Sequence, residues 1–440
     1  MVNINIQSIW KDQDWSILFI VIILLVIGIL FIYSSNVDSD NKLVSYEFVK
    51  QILWSSVGFI LLLFFSSVNY RYYKEISVYI YWANIFLIII TLIVGKTVSG
   101  AKAWLGISFL GIQPSEFMKI SALLLISSYT ANRNLNYKDI NSILKGSLII
   151  FFPFILILLQ PDLGTALVFI PIFLTVIYVA GASFKYVIFI IFFLFSLFLW
   201  IIFPFLGKAL GFDESIILIF TSDLTNIILL TSLFICIILL IAYYLTKIRI
   251  FYWVNYFMLI FFFPLGVSIL ARKILKDYQI MRLAVFIDPS VDSKGAGWNI
   301  IQSLTAIGSG GAVGKGFLNG TQSHLRYLPQ QSTDFIFSII AEEWGFLGGT
   351  VIFLLYAYLI IRMIYVAMQC SDVFGKLLAS GIATIFMFHF LVNVGMTMGI
   401  MPITGIPLLL LSYGGSSTWM SLLAISIVLN ISKNRYSIIV

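Results

Sequence analysis

The hydrophobic residues of this chain come in long unbroken runs rather than in alternation. Twelve such runs fall near 15–34, 51–67, 76–95, 114–130, 147–160, 163–180, 185–206, 225–246, 252–272, 344–368, 376–398 and 413–431. The first, "ILFIVIILLVIGILFIYSS" (17–35), is apolar on every face and carries no charge. A membrane barrel would show segments of about ten alternating residues, whereas roughly 20 continuous apolar residues carry a helix across the hydrocarbon layer. The pattern predicts an all-α polytopic membrane protein, with 1–440 as a single integral membrane domain.

Polar punctuation marks where helices begin and break. "GAKAWLGISFLGIQPSEFMKI" (100–120) ends in a helix start, with Gln113 at or near the cap, Pro114 first and Glu116 in the first turn. "LLQPDLGTAL" (158–167) repeats that logic with Pro161 and Asp162. In "LPQQSTDFIFSIIAEEWGFLGG" (328–349), Asp334, Glu342 and Glu343 fall within ten positions just ahead of an apolar run. Residues 334–343 are expected as a short helix, and Gly345, Gly348 and Gly349 let it bend before the following span. "NVGMTMGIMPITGIPLLLLSYGGSS" (393–417) packs Gly, Pro and Asn between two spans. Irregular backbone at membrane depth survives only where it is buried in protein or lines a cavity.

Composition agrees, since 61% of the 440 residues are hydrophobic and 10% charged, more apolar side chain than a soluble core of this length could bury. A net charge of +7 would point to nucleic acid in a soluble protein, but here the bases sit in short loops. Arg71, Lys74, Arg133, Lys138, Lys145, Lys185, Lys247, Arg249, Arg362, Lys376, Lys433 and Arg435 all fall on one side of the alternating spans. Asp38, Asp40, Asp213, Glu214 and Asp223 fall on the other. The positive-inside rule then puts both termini in the cytoplasm and makes 273–330 a large extracytoplasmic loop. The first run is too long for a signal-peptide core and reads as a retained span. Cys236 and Cys370 lack redox or metal spacing, and His324 and His389 lack companion ligands, so no metal site is predicted.

Candidate chemistry gathers on the outer side. Glu116 and Lys119 stand at an i, i+3 spacing, and a carboxylate–ammonium pair within the membrane is expensive enough to mark a pathway or site. Asp162 reads equally well as an offset to a helix dipole. The long loop carries Arg272, Lys273, Lys276, Arg282, Lys294, Lys315 and Arg326, which suit either an anionic substrate or ordinary solvation. "GSGGAVGKG" (308–316) is no P-loop, because Ser309 replaces the first glycine and Gly316 the magnesium-binding hydroxyl. It reads as tightly turned backbone that approaches a ligand closely.

"QPSEFMK", "QPDLGTAL", "YQIMR", "FIDP", "GAGWNIIQS", "AIGSGG", "STDFIFSIIAEEWGFLG" and "GIPLLLLSYGGSS" occur in this order over almost the whole chain. Together they resemble the SEDS family, the RodA and FtsW proteins of bacterial cell-wall synthesis, and Pro407 resembles the RodA side. The resemblance implies a ten-span core with an inserted two-helix hairpin at about 225–272. It implies a peptidoglycan glycosyltransferase that polymerises lipid II onto a growing glycan strand at the outer face of the bacterial cytoplasmic membrane. A class B penicillin-binding transpeptidase, the elongation machinery and membrane lipids are the implied partners, and nucleic acid is not one. Asp334 corresponds to the family's catalytic acidic residue, the base for the acceptor hydroxyl. Trp104, Glu116, Lys119 and Arg282 match its substrate-binding positions. Where the family commonly has Arg before the Trp, this chain has Ala103 with Lys102 one place earlier, and Lys102 joins the candidate phosphate contacts. Glu342, Glu343 and Asp162 read as supports. No cofactor is certain, although a divalent cation such as magnesium is compatible with a pyrophosphate leaving group. The rivals are a lipid II flippase or transporter that uses Glu116, Asp162 and Glu342 as coupling groups, a division-specific polymerase of the FtsW kind, and a structural anchor.

Overall fold

The computed structural model describes residues 14–40, 42–98, 100–106, 111–133, 139–209, 211–212, 224–292 and 295–434. Every one of the twelve apolar runs is helical. In chain order the helices are α1 (Trp15–Ser35), α2 (Glu47–Ser67), α3 (Arg71–Val94), α4 (Pro114–Arg133), α5 (Ile140–Leu159), α6 (Leu163–Leu167) and α7 (Phe169–Val179). There follow α8 (Phe184–Ala209), α9 (Leu224–Thr246), α10 (Arg249–Ile274), α11 (Asp277–Ile287), α12 (Ala296–Gly310), α13 (Thr321–His324), α14 (Ile336–Gln369), α15 (Val373–Thr397) and α16 (Gly415–Asn434). Among the described residues ten are long and apolar enough to cross a membrane. The chain is an all-α polytopic membrane protein.

Two of the twelve expected spans fall outside those ten, each for a physical reason. The α6–α7 stretch, 163–179, is apolar but too short and is broken near Val168. Helix α4 is long enough, but it buries Ser115, Glu116, Lys119, Ser121, Ser127, Ser128 and Thr130. Its polar side chains face protein rather than lipid, which lowers its hydropathy without exposing a charge.

The helices form two compact units, residues 1–182 with 299–440 and residues 183–298. At the heart of the first lie α15 and α16, whose apolar windows are 78% and 83% buried. Small polar residues let helices approach and bond in the membrane. On α16, Asn430 accepts from Tyr70 N at 2.8 Å and donates to Ser66 O at 2.7 Å, which fixes the α2–α3 turn. Asp372 caps α15 through Gly375 N at 3.2 Å and accepts from the Tyr70 hydroxyl at 3.0 Å. At the opposite ends of these helices, Gln51 of α2 donates to Thr418 Oγ1 at 3.0 Å and accepts from Gly414 N at 3.1 Å. Loops that the alternation assigns to one face of the membrane therefore meet partners of that same face.

The second unit holds α8 to α11. Trp200 of α8 donates to the Phe261 carbonyl of α10 at 2.8 Å, and Ile201 and Ile202 pack with Leu283 of α11. Only 11% of the apolar stretch of α9 is buried, so this helix packs little of its surface against the described residues. The 273–330 stretch, read as a loop, is largely helical, with α11, a 3-10 turn at Pro289–Asp292, α12 and α13.

Helix α14 bends where glycine was expected to bend it. Gly345 has φ 64° and ψ −161°, which splits the helix into a first segment of about two and a half turns and a long span. The helical part starts at Ile336 rather than 334, and Asp334 lies in the turn before it.

Candidate active site

Glu116 and Lys119 share one face of the first turns of α4, and the ammonium stands 2.7 Å from Glu116 Oε1. Neither side chain reaches solvent, Lys119 being 0% exposed. Taking two charges out of water costs several kcal/mol per ion, so such a pair persists only when protein contacts replace the water. Lys119 finds its second partner on α15, where His389 Nε2 lies 3.0 Å from Nζ. The other ring nitrogen, Nδ1, lies 2.9 Å from the Pro407 carbonyl. A carbonyl only accepts, so the proton sits on Nδ1 and the Nε2 lone pair faces the ammonium. The second oxygen of Glu116, Oε2, is buried and has no hydrogen-bond partner among the described residues.

Between α15 and α16 the backbone unwinds over residues 398–414. Its polar groups must be satisfied by protein. The Asn393 amide donates to Ile406 O at 2.8 Å, His389 to Pro407 O, and the Tyr356 hydroxyl to Leu409 O. Leu408 O accepts from Ser412 N at 2.8 Å, and Leu408 N donates to Ser412 Oγ at 2.9 Å. The same Asn393 nitrogen also donates to the backbone carbonyl of Asp334 at 2.9 Å. One face of α15 thus carries contacts to Lys119, to the unwound segment and to the main chain of Asp334.

Asp334 is half-buried. Its turn is closed by Asp334 N donating to Gln330 O at 3.1 Å. Neighbouring residues pin that turn from three sides, with Gln331 on Ser35 O at 2.6 Å, Ser332 Oγ on Glu47 Oε2 at 2.7 Å, and Tyr413 N on Ser332 O at 2.9 Å.

Glu342 and Glu343 are fully buried and occupied by the loop that precedes them. Glu342 accepts from Lys315 Nζ at 2.8 Å, from Thr321 N at 2.8 Å and from Gln322 N at 2.9 Å. Glu343 accepts from the Ser34 hydroxyl of α1 and from Leu318 N at 3.1 Å. His324 stands 3.6 Å from Glu343 Oε1, an ion-pair distance, and its Nδ1 bonds Val37 O at 2.8 Å. The Glu343 carboxylate beside it raises the His324 imidazolium above its ordinary range, against the opposing effect of burial.

The glycine-rich stretch approaches a partner closely, but the partner is this chain's own backbone. At the Gly345 break, Lys315 N and Gly316 N donate to the Glu342 and Glu343 carbonyls at 3.1 and 2.9 Å. Phe346 N and Leu347 N donate back to Gly311 O and Ala312 O at 2.9 and 3.1 Å. A Cβ on Gly314 would lie 2.1 Å from Glu343 O, which requires glycine there.

The remaining predicted residues are dispersed. Trp104 ends a two-stranded hairpin, Lys96–Val98 with Ala101–Trp104, in which Ala103 is the extra residue of a bulge and is buried. Lys102 donates from Nζ to the Ile93 carbonyl at 2.9 Å, at the C-terminal end of α3. Asp162 caps α6 through Thr165 N at 3.1 Å and accepts from Gln113 Nε2 at 2.8 Å, so its dipole-offset role and a link to α4 are both present. Arg282 belongs to the second unit, on α11, with its guanidinium 5.6 Å from the centre of the Tyr278 ring.

The profile of the family described as cell cycle protein, which groups FtsW, RodA and SpoVE, matches residues 14–210 and 212–437. The chain belongs to this family. Peptidoglycan glycosyltransferase RodA of Treponema pallidum (strain Nichols) is 43% identical over 427 residues, 97% of this chain and 98% of that protein. Stage V sporulation protein E of Bacillus subtilis (strain 168) is 32% identical, over 97% of this chain and 98% of that protein. A solved structure described as the structural coordination of polymerization and crosslinking by a peptidoglycan synthase complex superposes with a TM-score of 0.68. It is 25% identical and covers 98% of this chain and all of that one. In this FtsW, RodA and SpoVE member, sequence reasoning missed His389 and Asn393. Each is a lone polar residue inside an apolar run, and the signals were the spacing of four between them and the broken segment that follows.

Proposed function

We propose that this chain is a peptidoglycan glycosyltransferase that polymerises lipid II, the RodA-type enzyme of cell elongation. It acts at the outer face of the bacterial cytoplasmic membrane, with both termini in the cytoplasm. The 43% identity to a RodA glycosyltransferase over nearly the full length supports the elongation role above the sporulation one, at 32%. A class B penicillin-binding transpeptidase and the elongation machinery are the proposed partners. The observation that carries the site is Asp334, half-buried in a pinned turn at the mouth of α14, with its main chain tied to the helix that also meets Lys119.

In the proposed reaction, Asp334 takes the proton from the acceptor sugar hydroxyl as that oxygen bonds the anomeric carbon and the bond to the lipid pyrophosphate breaks. Lys102 is the proposed contact for the departing phosphates, with Trp104 against the substrate, and Arg282 is a candidate phosphate contact by its match to the family motif alone. Lys119, sealed between Glu116 and His389, is proposed to support the site from within rather than to meet phosphate directly. Among the described residues no three His, Cys, Asp or Glu side chains gather as a metal cage. Magnesium would therefore draw its ligands from the pyrophosphate and one or two carboxylates, Asp334 being the candidate.

The transport reading needs Glu116, Asp162 and Glu342 as coupling groups. Each is already committed, to Lys119, to the α6 cap and to the 315–323 loop respectively. The test is glycan polymerisation from lipid II by purified protein, with and without a partner transpeptidase. Asp334→Asn removes the base and keeps the shape, so polymer should fall by about 100-fold or more while the melting midpoint is unchanged. Near-normal yield from that variant would refute Asp334 as the base.

A further inference from the structure

We infer that His389 and Asn393 are positioning residues that hold Lys119 and Asp334 in a fixed relation through adjacent carbonyls of the unwound segment, Pro407 and Ile406. This rests on the glycosyltransferase reading above and deepens it. The two residues are four apart on α15, so they stand one above the other on one face of a buried helix. Each makes two contacts, one to the unwound segment and one to a site residue. His389 bonds Pro407 O at 2.9 Å and Lys119 Nζ at 3.0 Å. Asn393 donates to Ile406 O at 2.8 Å and to Asp334 O at 2.9 Å. Ordinary polar glue between membrane helices needs only the first contact of each pair. The second contacts are what join α4, the Asp334 turn and the 398–414 segment into one frame.

Neither side chain touches the reacting groups. Asn393 grips the main chain of Asp334. His389 supplies a lone pair to an ammonium whose other contact is Glu116, and thereby sets the direction in which that ammonium points. In a low-dielectric interior such bonds hold geometry firmly, and a displacement of about 1 Å at a reacting centre can cost about 100-fold in rate.

Position 389 needs an acceptor towards Lys119 and a donor towards Pro407 on a side chain long enough to reach both. Glutamine offers both, methionine has nearly the same shape with neither, and asparagine is too short to span them. The test compares His389→Gln and His389→Met in the purified full-length chain, by rate of polymerisation against lipid II concentration and by melting midpoint. Expected are a kcat within about threefold of wild type for the glutamine variant and a loss of tenfold or more for methionine. KM should stay within about twofold in both. If the methionine variant does not accumulate, His389→Asn takes its place, and it should be inactive beside an active glutamine variant. Equal turnover of the glutamine variant and its comparator, whether both normal or both lost, overturns the proposal, as does a loss carried entirely by KM. A wild-type protein that makes no polymer from lipid II would sink the functional reading, and this inference with it.

Discussion

Removing one member of the Glu116–Lys119 pair should cost far more than removing both. The ammonium lies 2.7 Å from Glu116 Oε1, with both side chains out of water. Lys119→Met keeps length and volume, yet it strands a buried carboxylate whose Oε2 already lacks a hydrogen-bond partner among the described residues. Stripping one partner from a buried ion pair costs about 3–5 kcal/mol. Glu116→Gln is milder, because the ammonium keeps His389 and gains an amide oxygen, so its cost falls near the lower end, about 3 kcal/mol. The double variant buries no charge, and what remains is the cost of a glutamine amide and a His389 Nε2 that have lost the ammonium, about 1–3 kcal/mol. The singles therefore sum to about 6–8 kcal/mol and the double to about 1–3, a coupling well beyond the range of independent sites.

The assay is the unfolding midpoint of the four proteins in one detergent or nanodisc, read beside polymer yield. Stability should return in the double variant, whereas polymerisation should not, because the groups that set the site remain absent. A double variant as unstable as the sum of the singles would refute the pairing argument. Full turnover by a stable double variant would take the pair out of the site and leave only its packing role.

Three further outcomes test other parts of the reasoning. His324 is raised by Glu343 and packs in a network with Glu342 and Lys315. A group raised on folding stabilises fully below its unfolded value, about 6.5, and loses that contribution as pH rises through the folded value. Hydrogen exchange over 311–325 should therefore quicken above about pH 6.5 beyond the intrinsic rise, and His324→Gln should flatten the excess; an unchanged profile would refute the linkage. Gly345→Ala forces a side chain into a glycine-only conformation worth about 1–3 kcal/mol and onto Gly314 N at 2.3 Å. Its melting midpoint should drop sharply, whereas Gly308→Ala, with nothing within 4 Å, should be harmless. Finally, in a background with Cys236 and Cys370 replaced by alanine, an impermeant thiol reagent on intact cells should label Ser290→Cys and spare Ser371→Cys. The reverse pattern would invert the topology.

That the twelve apolar runs are helical was legible because the bilayer leaves such a run little else to become. The bend at Gly345 was legible too, since three glycines behind paired carboxylates announce a break. Less legible was what the break is for. The glycine stretch reads as a ligand cradle, but its amides and carbonyls are spent on the α14 groups that the break frees. Lys102, the proposed phosphate contact, also donates to Ile93 O at the end of α3, a partner that its sequence neighbourhood does not announce. Helix α4 reads as one span among twelve, and only its partners reveal that its polar residues look inward.

Hardest of all were His389 and Asn393. Lys119 and His389 are 270 residues apart, and no local spacing encodes a contact of that range. The unwound segment nevertheless implied them. In water, carbonyls such as Ile406 O and Pro407 O could be left to solvent, but at membrane depth each must find a donor in protein. The segment itself has few to spare, because Pro407 has no N–H and the leucines after it carry no side-chain donor. The donors must come from flanking helices, and α15 offers polar side chains at 389 and 393, within three turns of its C-terminal end. An interruption between two spans therefore specifies that donors exist nearby and narrows where to look. Which of them also reach a charged neighbour, as His389 reaches Lys119, is decided by packing alone.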